Sequence, residues 1–291
     1  MSERGLPYVL GCPSWSEAAW QGALYPAGVS SSAFLEHYVR VFNGVEGNTT
    51  FYARPSAATV QRWASIMPPD FRFCAKFPRD ISHAEDLGTM QAAAVDFVHL
   101  LAPLSSRLNP LWLQLPARFT ALRLPELVSL LETLTPLSIP LAVEVRHLEF
   151  FAKGEAERSL NRLLRDYGVE RICLDSRALF SCSSSDPAVL HAQGRKPRLP
   201  VRPAALTQSP QVRFIGRPEL EANDPFLKPW IDKLAEWIEA GLTPHIYLHT
   251  PDNRRAPELA RRFHGYLMER LPGLPELNWP EPEQRQPSLF D

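Results

Sequence analysis

The sequence predicts an α/β fold: a (β/α)8 TIM-type barrel with a long rim loop after the sixth strand and an extended C-terminal tail. Three observations predict it. Short segments rich in Val, Ile, Leu and Phe recur eight times, each followed by a stretch with helical spacing. The 291 residues, 45% of them hydrophobic, suffice for one large core. Polar or ionisable residues recur near the trailing end of almost every strand candidate, the end where barrels build their sites. A doubly wound open sheet is the alternative, because alternation alone carries no closure.

Taken in order, the strand candidates are 8–15 (YVLGCPSW), 44–51 (GVEGNTTF), 71–78 (FRFCAKFP) and 110–116 (PLWLQLP), followed by 141–147 (LAVEVRH), 170–176 (ERICLDS), 212–217 (VRFIGR) and 245–250 (HIYLHT). Helices are expected near 31–42, 56–66, 87–102, 124–134, 156–167, 226–240 and 256–270. Ser31, Ser32, Ser56 and Asp224-Pro225 are helix-start signals. From Arg177 to Gln211 the rhythm breaks. This Ser- and Pro-rich connection carries the basic run HAQGRKPRLPVRP, and after a sixth strand it would lie on the carboxyl rim. It is expected to be mobile and to offer Arg195, Lys196, Arg198 and Arg202 to a ligand. Residues 1–271 are expected to form a single barrel domain, with 272–291 a flexible, proline-rich tail.

Formal charge is −1 and pI about 6.7, so no global field draws the chain to nucleic acid or membrane. Cys12, Cys74, Cys173 and Cys182 lack any metal-ligand spacing and read as buried, reduced thiols. The N-terminus has no signal-peptide core, and no run approaches the ~20 apolar residues of a membrane span. A cytoplasmic location is expected. P-loop, GxGxxG, GxSxG and HExxH patterns are absent, so no cofactor is implied.

In a barrel strand alternate residues face inward, and the last inward residue opens onto the pocket. Glu46 and Asn48 share a face of the second strand; Lys76 ends the third and Gln114 the fourth. Glu144 and Arg146 share a face of the fifth, Asp175 ends the sixth, and Arg213 and His249 belong to the seventh and eighth. Trp15 offers an aromatic wall after the first. Singly, each residue fits a solvated edge. Recurrence at one end of every strand favours a pocket, since buried charges are costly unless paired or used. The carboxylates Glu46, Glu144 and Asp175 are the candidate catalytic groups, with Glu144 foremost as general acid or base. Lys76, Arg146 and Arg213 suit an anionic ligand and compete with a metal for those carboxylates. No metal site is assigned, although His83, His147 and His249 leave one open. A structural ion network without chemistry also fits.

The blocks GCPSWSEAAWQGALYP, VEGNTTFYARP, FCAKFPRDISH, LWLQLPARF, LAVEVRH and VRFIGR, in that order, resemble the YecE-like family, the domain of unknown function 72. The resemblance spans roughly residues 8 to 270. It implies a TIM-type barrel and puts Glu46, Asn48, Phe51, Tyr52, Lys76, His83, Gln114, Glu144, Arg146 and His147 on motif positions. It implies no reaction. The chain departs from the family's usual pattern at GCPSWSE, at Ile215 where a His is common, and at Leu248-His249-Thr250 where an Asn pair is common. The expectation is an enzyme acting on a phosphorylated or nucleic-acid-derived substrate. A non-catalytic anion- or partner-binding barrel and a metal-dependent sugar or phosphoester enzyme are the alternatives. The last residues resemble the Gln-x-x-Leu-Phe peptides that bind the bacterial DNA sliding clamp, which makes Gln286, Leu289 and Phe290 candidate partner-binding residues.

Overall fold

The computed structural model describes residues 5–281. Strands occupy all eight expected positions: β1 (Val9–Cys12), β2 (Gly44–Gly47), β3 (Arg72–Ala75), β4 (Leu111–Gln114), β5 (Leu141–Glu144), β6 (Glu170–Arg171) with β7 (Cys173–Asp175), β8 (Gln211–Ile215) and β9 (His245–His249). Among the described residues every strand pairing is parallel. The order is β3-β2-β1-β9-β8-β7 in one sheet and β4-β5-β6 in a second. Backbone contacts join the two. Phe73 bridges to Leu108 and Lys76 to Trp112, and the Phe77 N–H donates to the Trp112 carbonyl at 2.9 Å. On the other flank Ile172, between β6 and β7, donates its N–H to Val143 at 2.9 Å.

Helices follow the strands: α1 (Phe34–Tyr38), α2 (Thr49–Tyr52), α3 (Ala57–Ile66), α4 (Arg79–Ser82), α5 (Gln91–Leu101), α6 (Leu124–Leu134), α7 (Glu155–Asp166), α8 (Arg177–Phe180), α9 (Pro187–Arg195), α10 (Asp224–Glu239) and α11 (Ala256–Arg270). Among the described residues, no helix is long and apolar enough to cross a membrane. The period of two sorts the strand residues into two faces. Leu111, Leu113, Val143, Val212, Phe214, Ile246 and Leu248 join the large core with the helices. Their neighbours Cys74, Trp112, Ala142, Ile172 and Tyr247 form a separate small cluster on the opposite face. All four cysteines are free and buried.

Local chemistry sets the element ends. Ser56 caps α3, its Oγ accepting the Thr59 N–H at 3.1 Å. Near the expected 31–42 helix the capping residue is Ser30, which accepts the Ser32 N–H at 3.3 Å; Ser31 and Ser32 lie inside the first turn. Asp224 likewise sits inside α10, where it takes a two-point hydrogen bond from Arg262 of α11 at 2.7 Å for each contact. The second strand is shorter than the sequence suggests. It stops at Gly47 and the chain turns at once into α2. A Cβ on Gly47 would overlap the Phe73 ring of the neighbouring strand, so the strand can end here only on a glycine.

The connection after β7 is not a structureless loop. It holds α8 and the nine-residue α9, whose N-cap Asp186 accepts the Ala188 N–H at 2.8 Å and whose first residue is Pro187. The Asp-Pro start signal was present in the sequence but lay hidden in a Ser-rich context. At the other end, residues 274–281 carry no regular secondary structure and touch the body through Trp279. Trp279 meets the edge of Phe42 at 6.3 Å between centroids, and Arg261 stacks over Trp279 at 4.9 Å.

Candidate functional site

Past the carboxyl ends of the strands opens a cavity of about 450 Å³. Its wall carries six cationic side chains, Lys76, Arg79, Arg146, Arg195, Lys196 and Arg213, and the imidazoles of His83, His191 and His249. No carboxylate is among the lining residues. Asn48, Tyr52, Gln114, Ser14 and Asn253 complete the polar surface.

Two carboxylates lie just behind this wall. Glu46, wholly buried on β2, places Oε1 2.8 Å from Arg213 Nη2 and 3.3 Å from Lys76 Nζ. Its Oε2 accepts from Arg213 Nε at 3.0 Å and lies 2.8 Å from His249 Nε2. Glu144, on β5, accepts from Arg146 Nε at 2.7 Å and faces Arg213 Nη1 at 3.6 Å. Beneath the wall lies the buried Trp112, with Lys76 Nζ 3.8 Å and the Arg213 guanidinium 5.1 Å from its ring centroid. Lys76 also donates to Gln114 Oε1 at 3.1 Å.

Electrostatics fixes the protonation states. Burial alone would push the Glu46 carboxyl up, but Arg213, His249 and Lys76 together hold it well below the ordinary carboxylate range. Glu144 is lowered in the same way: burial is outweighed by Arg146, Arg213 and Lys76. Burial, with Arg213 and Lys196 nearby, lowers His249 to about 3 despite Glu46, so its ring is neutral at neutral pH. A neutral ring beside an ionised carboxylate must donate from Nε2, which leaves Nδ1 as an unprotonated acceptor. Burial and then Arg213 lower Lys76 to about 8 and Lys196 to about 7. His83 falls to about 4 through burial, Arg79 and Arg146.

The structure therefore brings Asn48, Tyr52, Lys76, His83, Gln114, Arg146, Arg213 and His249 to one cavity, with Glu46 and Glu144 as counter-ions beneath it. Three other candidates lie elsewhere. Asp175 faces the helix layer, where its Oδ2 accepts from Trp230 Nε1 of α10 at 2.8 Å and from Arg177 at 2.8 Å. Its neighbour Leu174 takes the alternate face, and one residue of parity exchanges pocket for core. His147 turns away to Glu149 Oε1 at 3.2 Å. Trp15 packs edge-on against Trp63, 5.4 Å between centroids. From the basic run, Arg195 and Lys196 reach the cavity. Arg198 stacks over Phe180 instead, and Arg202 turns to the Phe151 carbonyl and Glu157. Arg79 and His191 were missed as site residues, although each stands in a segment already marked: Arg79 in FCAKFPRDISH and His191 at the head of the basic run. Gln286, Leu289 and Phe290 lie outside the described residues.

Among the described residues, no group of three or more His, Cys, Asp or Glu is placed to hold a metal ion. Arg213 and Lys76 already occupy the Glu46 oxygens that such a site would need.

The family described as Protein of unknown function DUF72 matches residues 9–285. This chain belongs to the DUF72 family. It is 41% identical over 263 residues to the UPF0759 protein YecE of Escherichia coli K12, spanning 90% of this chain and 93% of that one. The YecE protein of Escherichia coli O157:H7 matches to the same extent. A crystal structure of a DUF72 family protein from Enterococcus faecalis V583 superposes with a TM-score of 0.67 at 16% identity, covering 96% of this chain and all of the other. A second crystal structure of that protein gives 0.63 at 18% identity. At such identity these DUF72 structures support the fold alone.

Proposed function

We propose that the chain is a TIM-type barrel enzyme that binds an anionic, phosphorylated small molecule, nucleotide-like or sugar-like, at the carboxyl mouth of its strands. Closure of the barrel is supported by the Lys76–Trp112 and Phe73–Leu108 bridges on one flank and by Ile172 on the other. The observation that carries the functional reading is the wall itself: six cationic side chains and no carboxylate. Among the described residues Arg79 and Arg195 form no ion pair, so their charge is directed at the ligand space. Tyr52, 75% exposed at the mouth, offers a ring face for a sugar or base.

Within this reading the proton acceptor is His249, through Nδ1, with Glu46 fixing its tautomer from behind. Glu46 and Glu144 then serve as counter-ions that hold the cations in place, rather than as the acid and base themselves. Titration calorimetry with inorganic phosphate, sulfate, sugar phosphates and nucleotides at low and moderate salt tests the proposal. Salt-sensitive binding that is lost in Arg146→Ala supports it. No binding of any of these anions to folded protein would sink it.

Recruitment to a bacterial sliding clamp through Gln286, Leu289 and Phe290 is a separate proposal carried by the sequence pattern alone. It predicts micromolar binding of a peptide covering residues 280–291 to purified clamp, lost in Leu289→Ala/Phe290→Ala. No binding by either the peptide or the intact chain would end it.

A further inference from the structure

Lys196 differs from every other lysine in the chain. Lys76 is committed to Glu46, Gln114 and the Trp112 ring. Lys233 pairs with Glu236 at 2.6 Å, and Lys153 and Lys228 lie on the exposed surface. Lys196 lines the cavity and, among the described residues, has neither an ion-pair nor a hydrogen-bond partner for its ammonium. Its backbone is nevertheless held. The Lys196 N–H donates to Ala192 at 2.9 Å at the end of α9, and the next carbonyl, that of Pro197, accepts from Ser176 Oγ at 2.9 Å. A lysine that is anchored at its backbone, free at its head and surrounded by other cations has the setting of an amine nucleophile.

We infer that Lys196 forms an imine with the carbonyl carbon of a small anionic substrate, a phosphorylated or carboxylated aldehyde or ketone. This deepens the anion-binding reading and rests on it. The neutral Nζ attacks the carbonyl carbon to give a carbinolamine. Its hydroxyl then leaves as water, so the ammonium and carbonyl become a protonated imine and one water. The substrate's anionic group lies against Arg79, Arg195 and Arg146. His249 Nδ1, on the same wall, accepts a proton from the carbon next to the imine.

Enough free amine exists at neutral pH for this chemistry. Arg213 on β8 and Lys76 on β3 reinforce the burial of Lys196, Glu46 on β2 and Glu144 on β5 oppose it, and the net effect lowers Lys196 to about 7. His249 on β9 faces the same group as a neutral ring. An exposed lysine near 10.4 holds only about one amine in 2,500 at pH 7.

Reductive trapping with cyanoborohydride tests this, because the hydride adds to the imine carbon and fixes the adduct for peptide mapping. Glyoxylate is the probe, being an aldehyde and a carboxylate small enough for any pocket, and propionaldehyde is the neutral control. Lys196 is expected to react at least about tenfold faster with glyoxylate than Lys153 or Lys228 do. Inorganic phosphate should protect it, and propionaldehyde should show no such preference. Lys196→Arg should lose the fast adduct, while the slow labelling of Lys153 and Lys228 should be unchanged. Labelling of Lys196 no faster than Lys153, labelling of Lys76 in its place, or equal rates with the neutral aldehyde would each overturn the imine. If phosphate still binds in that case, the anion site survives and only the imine falls. If phosphate does not bind either, both readings fall.

Discussion

Two buried ionic clusters among the described residues are built differently. In the first, Arg171, 2% exposed, donates to Asn161 Oδ1 at 2.7 Å and to the Phe150 carbonyl at 2.6 Å, with Glu157 at 3.5 Å. Glu157 accepts the Lys153 N–H at 2.7 Å and also faces Arg202 at 3.3 Å. Backbone and amide groups complete this set, and among its fully buried side-chain atoms Arg202 Nε is the one without a hydrogen bond. In the second cluster Glu46, Glu144, Lys76, Arg146, Arg213 and His249 meet one another, and Lys76 also donates to the Gln114 amide. There Glu46 Oε1, Glu144 Oε2 and Arg213 Nη1 all lack hydrogen bonds. Charges satisfied by the backbone are finished structure. Charges satisfied only by each other, behind the wall of a cavity, hold in place the cations that line it.

The contrast is sharpest in stability. Arg171→Ala leaves Glu157 without its deepest partner and is expected to cost about 3–5 kcal/mol in urea unfolding, with no recovery on adding phosphate. A loss below about 1 kcal/mol would show the first cluster to be dispensable.

Arg213→Met should cost less, about 2–3 kcal/mol, because Glu46 keeps Lys76 and His249. Adding Glu46→Gln removes the stranded charge and should restore most of that stability while anion binding stays lost. Recovery of binding in the double variant would contradict the site assignment.

Sulfate, whose charge is constant above pH 3, isolates the titration of the lysines. Lys196 at about 7 and Lys76 at about 8 lose protons as pH rises, so sulfate affinity should fall about tenfold between pH 6 and 9. Binding at pH 8 should take up protons, visible as a buffer-dependent heat. Stability moves the other way. Both lysines sit below their ordinary 10.5, so between about 7 and 10.5 the unfolded chain binds more protons, and these two groups contribute stability that grows with pH. A flat sulfate profile would remove the lysines from the site.

The smallest effect belongs to Asp175→Asn. The amide keeps an acceptor for Trp230 but loses the charge facing Arg177, which should cost about 1 kcal/mol. Sulfate affinity should stay within about twofold, whereas a large loss would return Asp175 to the site.

The sequence by itself determined the periodic part of this protein. Short apolar runs rich in Val, Ile, Leu and Phe gave eight strand positions, helical spacing gave the long helices, and the polar residues at strand ends pointed to one mouth. Those signals are local, set by which neighbours a side chain can reach along its own element. What only the tertiary structure decided was non-local. Glu46 meets Arg213 and His249 across 167 and 203 residues, and the strand order that brings them together is not written in any one segment. Parity was equally out of reach at the sixth strand: the break at Ile172 and the packing of α10 turned Asp175 outward, although its position in the sequence matches that of the others. The same holds for Lys196, which is one basic residue among several in a run. The turn at the end of α9 places it in the cavity while Arg198 and Arg202, a few residues on, pack elsewhere. Composition supplied the charges, and packing chose which of them face the ligand space.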